Sequence, residues 1–169
     1  MIEQVFLQFS AGKLAQLRDR IHDCAGRLTP DQIWLRGSDS ENAVGNLVLH
    51  LAGNVRQWIG HGVAGESDQR DRDSEFAARG GMEKDALLAR LDANVEAAIA
   101  TIRTLAPAEL TRKTTIQGYE VTVLEAIYHV VEHFAQHTAQ IIFATKLLTG
   151  SDLGYYKHLS KASHRQATP

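Results

Sequence analysis

The chain has 169 residues, 44% of them hydrophobic and 22% charged, with a formal net charge of −2 at pH 7. That length suits one domain around one core, and the balanced charge supplies no basic field to hold nucleic acid. The lone Cys24 cannot build a disulfide framework, the start lacks the form of a signal peptide, and no stretch reaches the roughly 18 apolar residues of a membrane span, so the expectation is a cytoplasmic protein without membrane or nucleic-acid partners.

Hydrophobic periodicity is helical throughout. A first helix is expected over Ile2 to Leu28, with Ile2, Val5, Phe6, Phe9, Leu14, Leu17, Ile21, Cys24 and Leu28 on the inward stripe. Thr29-Pro30-Asp31 ends it or starts a short new turn, with Thr29 as cap and Pro30 at the first helical position. A polar link, Arg36 to Ser40, leads to a second helix over Glu41 to Ile59, whose stripe of Ala43, Leu47, His50, Asn54 and Trp58 includes two polar residues. Gly60 to Gly81 is rich in Gly, Asp and Arg and reads as a long loop, a length usually tied to function or disorder. A third helix follows over Glu83 to Leu105, and Pro107 stops it. Thr114 to Val121 is a short β-branched, aromatic segment suited to extended structure. The fourth helix opens on Thr122-Val123-Leu124-Glu125, a capping-box sequence, and runs to Leu148 with Gly150 placed to end it. The fold class predicted is all-α, a four-helix bundle with a long loop after the second helix. The bundle domain spans 1–150 and a polar tail with an aromatic patch at Tyr155 and Tyr156 spans 151–169.

Eight histidines are present. His129, His133 and His137 follow one another at four-residue steps on the fourth helix, and residues four apart share a helix face. Neighbours in this series are separated by about 6 Å along the axis, close enough to share an ion, whereas His129 and His137 are about 12 Å apart. On a wheel with His133 at zero, the apolar arc centres near +80°, His137 falls at about +40° and His129 at about −40°. The inward pair is therefore His133 and His137. His50 is the other histidine on an inward stripe; His22, His61, His158 and His164 fall in helix-flank, loop or tail contexts. Three neutral imidazoles facing an apolar interior ask for a shared partner, and a three-His set leaves coordination positions open for water or substrate. Zn, Ni, Fe and Mn all suit such a set. The alternative is histidines satisfied by core hydrogen bonds.

Other metal patterns fail. The zincin motif needs Glu directly after the first His, whereas here Phe134 follows His133. The di-iron bundle needs paired Glu-x-x-His, and Glu125 and Glu132 are followed three residues later by Tyr128 and Ala135. Gly60-His61-Gly62-Val63-Ala64-Gly65 matches a dinucleotide fingerprint in letters only, because a helix precedes it and a charged loop follows. Asn54, one turn beyond His50, and Gln140, near His137, either orient a ligand or bound water or make ordinary interhelical hydrogen bonds. The Glu66 to Glu75 run reads as solvated surface, with the alternative of a lid whose Arg70 or Arg72 binds an anionic substrate.

Asn46-Leu47-Val48-Leu49-His50-Leu51-Ala52-Gly53-Asn54, together with the His129 to Ile141 segment HVVEHFAQHTAQI, resembles the DinB/YfiT-like superfamily, and Arg70 to Phe76 resembles one branch of it. The resemblance spans the first to the fourth helix. Ala139 stands where the superfamily usually has Gly, which touches no ligand. The resemblance implies a four-helix bundle, often a homodimer, with a divalent metal on His50, His133 and His137. It also implies a metal-dependent enzyme acting on a small molecule: a thiol-dependent S-transferase using a low-molecular-weight thiol, or a related hydrolase. The alternatives are a non-catalytic metal-binding or stress-associated dimeric interaction protein, and a purely structural dimeric bundle. The catalytic residues are not legible.

Overall fold

The computed structural model describes residues 1–160. Four long elements build it: α1 (Ile2–Gly26), α3 (Val44–Val55) continued by a π-helical turn (Arg56–His61), α5 (Lys84–Thr104) and α6 (Val123–Thr149). Between them lie the short helices α2 (Pro30–Ile33) and α4 (Arg72–Ala77) and an antiparallel hairpin, β1 (Lys113–Ile116) and β2 (Tyr119–Thr122). The chain is thus a helical bundle with one small two-stranded ribbon. Of the 1–150 and 151–169 division, the last nine positions, His164 among them, lie outside the described residues.

Local chemistry accounts for the boundaries. Thr29 caps α2 as a capping box with Gln32, with Pro30 in the first turn. Thr122 and Glu125 cap α6 in the same way, and Gly150 at φ 64° ends it in the left-handed region. Gln117 and Gly118, at φ 52° and 82°, make the tight turn of the hairpin. The second helix opens later than its stripe suggests, at Val44, because Asn46 turns its Oδ1 back to accept the Ala43 N–H at 3.1 Å.

The first turns of α1 depart from expectation. Ile2, Val5 and Phe9 are 77%, 64% and 49% exposed, and the buried stripe begins at Leu7 and continues through Ala11, Leu14, Leu17, Ile21 and Cys24. An apolar residue joins the core only where a partner element covers it, and among the described residues none covers the outer side of α1. Cys24 is fully buried, and burial pushes its thiol up. Beyond α6, Leu153 is buried and Tyr155 donates from Oη to Asp23 Oδ2 at 2.9 Å, so the described start of the tail docks on α1.

Helix directions follow from the contacts. Lys84 reaches the Leu28 carbonyl, and Arg18 reaches Glu96, so α1 and α5 are antiparallel. Gln32 beside α1's end meets the Leu148 carbonyl, while Ile2 and Leu124 line one groove at the other end, so α1 and α6 are parallel. His50 meets His133, and Trp58 meets His129, so α3 runs against α6. The order is up, down, down, up. Because α3 and α5 run the same way, the 62–83 connection must return along the whole bundle. Its α4 lies against α3 on that path.

Candidate metal centre

The site forms where α3 and α6 face each other. His133 Nε2 lies 3.1 Å from His50 Nε2 and 3.1 Å from His137 Nε2. One nitrogen from each ring falls within 4.8 Å of the others, and this group could hold a metal ion. His133 and His137 owe their convergence to four-residue spacing on α6; His50 meets them because Leu47, Leu51 and Val55 on α3 are buried in the same core. His50 is 5% exposed, and His133 and His137 are half-buried, so the cluster is closed toward α3 and reachable from the α6 side. His129 offers no nitrogen to this group: its ring lies tilted against Trp58 at 3.9 Å between centroids and stacks on the His133 ring at 5.5 Å.

The outer nitrogens fix the tautomers. His137 Nδ1 lies 2.6 Å from Gln140 Oε1, an acceptor, so the ring proton sits on Nδ1. His50 Nδ1 lies 3.0 Å from Glu75 Oε2, again an acceptor. Arg70 Nη2 is also 3.0 Å from that nitrogen, but a carboxylate only accepts, so its contact with Nδ1 places the ring proton between them. Two Nε2 lone pairs therefore point at a third imidazole, whose own Nδ1 is buried with no protein partner. A single proton cannot satisfy three converging nitrogens. A cation can, and the donor set fits one of the borderline divalent metals.

Electrostatics agree. Burial, and then the charges of His137, His50, His129 and Arg70, push the His133 imidazolium from 6.5 down to about 3. Burial also lowers His137, against the opposing hydrogen bond to Gln140. Both rings are held neutral, the form that ligates. The unfolded chain takes up the His133 proton near 6.5, while the folded chain resists until about 3. This contribution to stability is complete above the upper value and is lost as pH falls through that window. Metal-free protein is expected to show a denaturation midpoint that declines between those values, with a shallower decline in His133→Leu. Parallel curves for the two proteins would refute this.

The remaining sequence candidates distribute unevenly. Gln140 does contact a histidine of the cluster. Asn54 is buried with Oδ1 unpartnered, one turn from His50. Arg70 does not extend toward solvent: its side chain is 4% exposed and its guanidinium is spent on Glu75 and Gln57. Arg72 is exposed and lies over the Phe76 ring at 4.9 Å. Phe76 in turn packs on His50 with centroids 4.6 Å apart. The Glu66 to Glu75 run is thus solvated over most of its length and buried at its end. Sequence reasoning missed Glu75 and Phe76. One usable signal was Gly53, since glycine inside a helix commonly marks a close approach.

Residues 1–163 match the sequence family described as Protein of unknown function (DUF1572). No curated protein matches the chain. A crystal structure described as the conserved protein of locus from Enterococcus faecalis aligns with TM-score 0.71 at 16% identity, covering 85% of this chain and 97% of that one. At that identity the likeness is one of fold. No described helix is long and apolar enough to cross a membrane.

Proposed function

Because the chain belongs to the DUF1572 family, we propose that it is a DinB-like metalloenzyme of the cytoplasm in which His50, His133 and His137 hold one divalent ion, and that it acts on a small molecule together with a low-molecular-weight thiol. The observation that carries the metal is the convergence of three imidazole nitrogens within 4.8 Å, with the ring protons of His50 and His137 directed outward. The thiol-dependent S-transferase reading, with a related hydrolase beside it, rests on the superfamily resemblance of the His50 and His133–His137 motifs and is an analogy.

An ion in this site would supply Lewis acidity, which lowers the pKa of a coordinated thiol or water toward neutrality. The protein's part is preparation. Gln140 sets the tautomer of His137. Phe76 covers one face of His50 and keeps water from it. The half-exposed side at His133 and His137 leaves an approach for a small molecule. Zn, Ni, Fe and Mn all remain compatible with three imidazoles, and supply in the cell decides among them.

A homodimer belongs to this reading. The parallel helices α1 and α6 expose Ile2, Val5, Phe9, Tyr128, Phe143 and Leu147, more large apolar side chains than a solitary bundle usually leaves on one pair of helices. Native mass spectrometry of protein purified without affinity metal tests both parts together. The expected species is a dimer carrying one ion per chain. A metal-free species that takes up none of the four metals on titration would sink the proposed function, and a monomer would sink the dimer.

A further inference from the structure

Behind the three histidines stands a carboxylate delivered by the crossover between α3 and α5. We propose that Glu75 is the positioning residue of the metal centre: it accepts the His50 Nδ1–H, presents the Nε2 lone pair to the ion, and is itself aimed by Arg70 through a slot at Gly53. This rests on the reading of His50, His133 and His137 as ligands.

Four observations carry it. Glu75 and Arg70 are each 4% exposed at the side chain, and Arg70 Nε and Nη2 grip the two carboxylate oxygens at 2.9 Å each. That fork leaves Oε2 facing His50 Nδ1 at 3.0 Å. Gly53 lies one turn along α3 from His50, and a Cβ there would collide with Glu75 Oε1, stand 2.9 Å from its Cδ and 3.1 Å from Arg70 Nε. Finally, the backbone around Glu75 is pinned. Asn46 Nδ2 donates to the Glu75 and Ala78 carbonyls at 2.8 and 2.9 Å, and Arg36 Nη2 donates to the Phe76 and Ala78 carbonyls at 2.8 and 3.1 Å.

Stability alone explains this poorly. A buried ion pair contributes little net stabilisation, and glycine within a helix weakens it. The same features make sense behind a ligand. A carboxylate accepting from the far nitrogen of an imidazole fixes the ring's tautomer and orientation and makes the near nitrogen a stronger donor. The carboxylate also offsets part of the ion's charge, and Arg70 grips both of its oxygens.

Zinc affinity, read by competition with a chromogenic chelator, tests this, together with ¹⁵N correlation spectra of the histidine rings in the zinc-loaded protein. Glu75→Gln is expected to weaken zinc binding by about 10–100-fold and to shift the His50 Nδ1–H resonance. Gly53→Ala keeps both charges and displaces the Glu75–Arg70 pair from behind His50, and it should reproduce the loss. Should either fail to fold, Arg70→Met/Glu75→Gln removes both buried charges together and is expected to show the same weakening. A folded Glu75 variant with zinc affinity within about threefold of the parent, or with an unchanged His50 ring spectrum, overturns the proposal. The two readings fail separately: a parent protein that binds no zinc takes down the ligand assignment first, whereas a parent that binds and a Glu75→Gln that binds equally well removes only the role of Glu75.

Discussion

His133→Ala is expected to leave the protein unable to retain a metal ion. The imidazole it removes is the one within 3.1 Å of both others, so the variant keeps two nitrogens on separate helices with nothing between them. The loss should exceed the roughly 10–100-fold that follows from removing a residue that merely orients a ligand. His129→Ala is the contrast. Its ring packs on Trp58 and on the face of His133 without offering a nitrogen to the group, and its removal should leave metal content close to that of the parent. Elemental analysis of the two purified variants beside the parent decides the matter. Full metal in His133→Ala, or equal losses in both, contradicts the assignment.

The second large effect concerns the core beneath the site. Phe134 follows His133 on α6 and is fully buried. Its ring packs in the bundle interior while the His133 side chain turns toward α3. Truncation to alanine should cost about 3–5 kcal/mol, because the removed ring leaves a cavity that four helices cannot collapse around. For a chain of this size that corresponds to a fall in melting temperature of about 6–20 °C. Thermal unfolding of the metal-free variant measures it directly, and a loss below about 1 kcal/mol would show that Phe134 is not a keystone of this core.

Several features of the fold are legible residue by residue. The capping box at Thr122 and Glu125, the left-handed stop at Gly150 and the proline after α5 mark helix ends through local hydrogen bonding and sterics alone. The extended reading of Thr114 to Val121 corresponds to the hairpin, whose Gln117-Gly118 turn is equally local. The long loop was visible as a loss of periodicity, but α4 within it is only six residues and carries no periodic signal. Ile2, Val5 and Phe9 were placed inside because apolar spacing marks a face without saying what covers it; they are exposed.

The histidine cluster divides along the same line. His133 and His137 came from helical spacing, and His50 from its place on an apolar stripe, because a helix converts sequence separation directly into a shared face. Intervals along one helix carry that information for any reader of the chain. Arg70, Glu75 and Phe76 belong to a segment with no such period. The two charged ones read as surface, and all three came to lie against His50 only when the crossover was laid along α3, Arg70 and Glu75 being 20 and 25 residues away in the chain. The ion pair forms there because Gly53 leaves space and because each charge meets the other, with His50 donating to Glu75 and Gln57 accepting from Arg70. The helices and the histidine spacing are properties of local sequence, whereas the closure behind His50 is a long-range contact, set by which surfaces the packed bundle brings together and dehydrates.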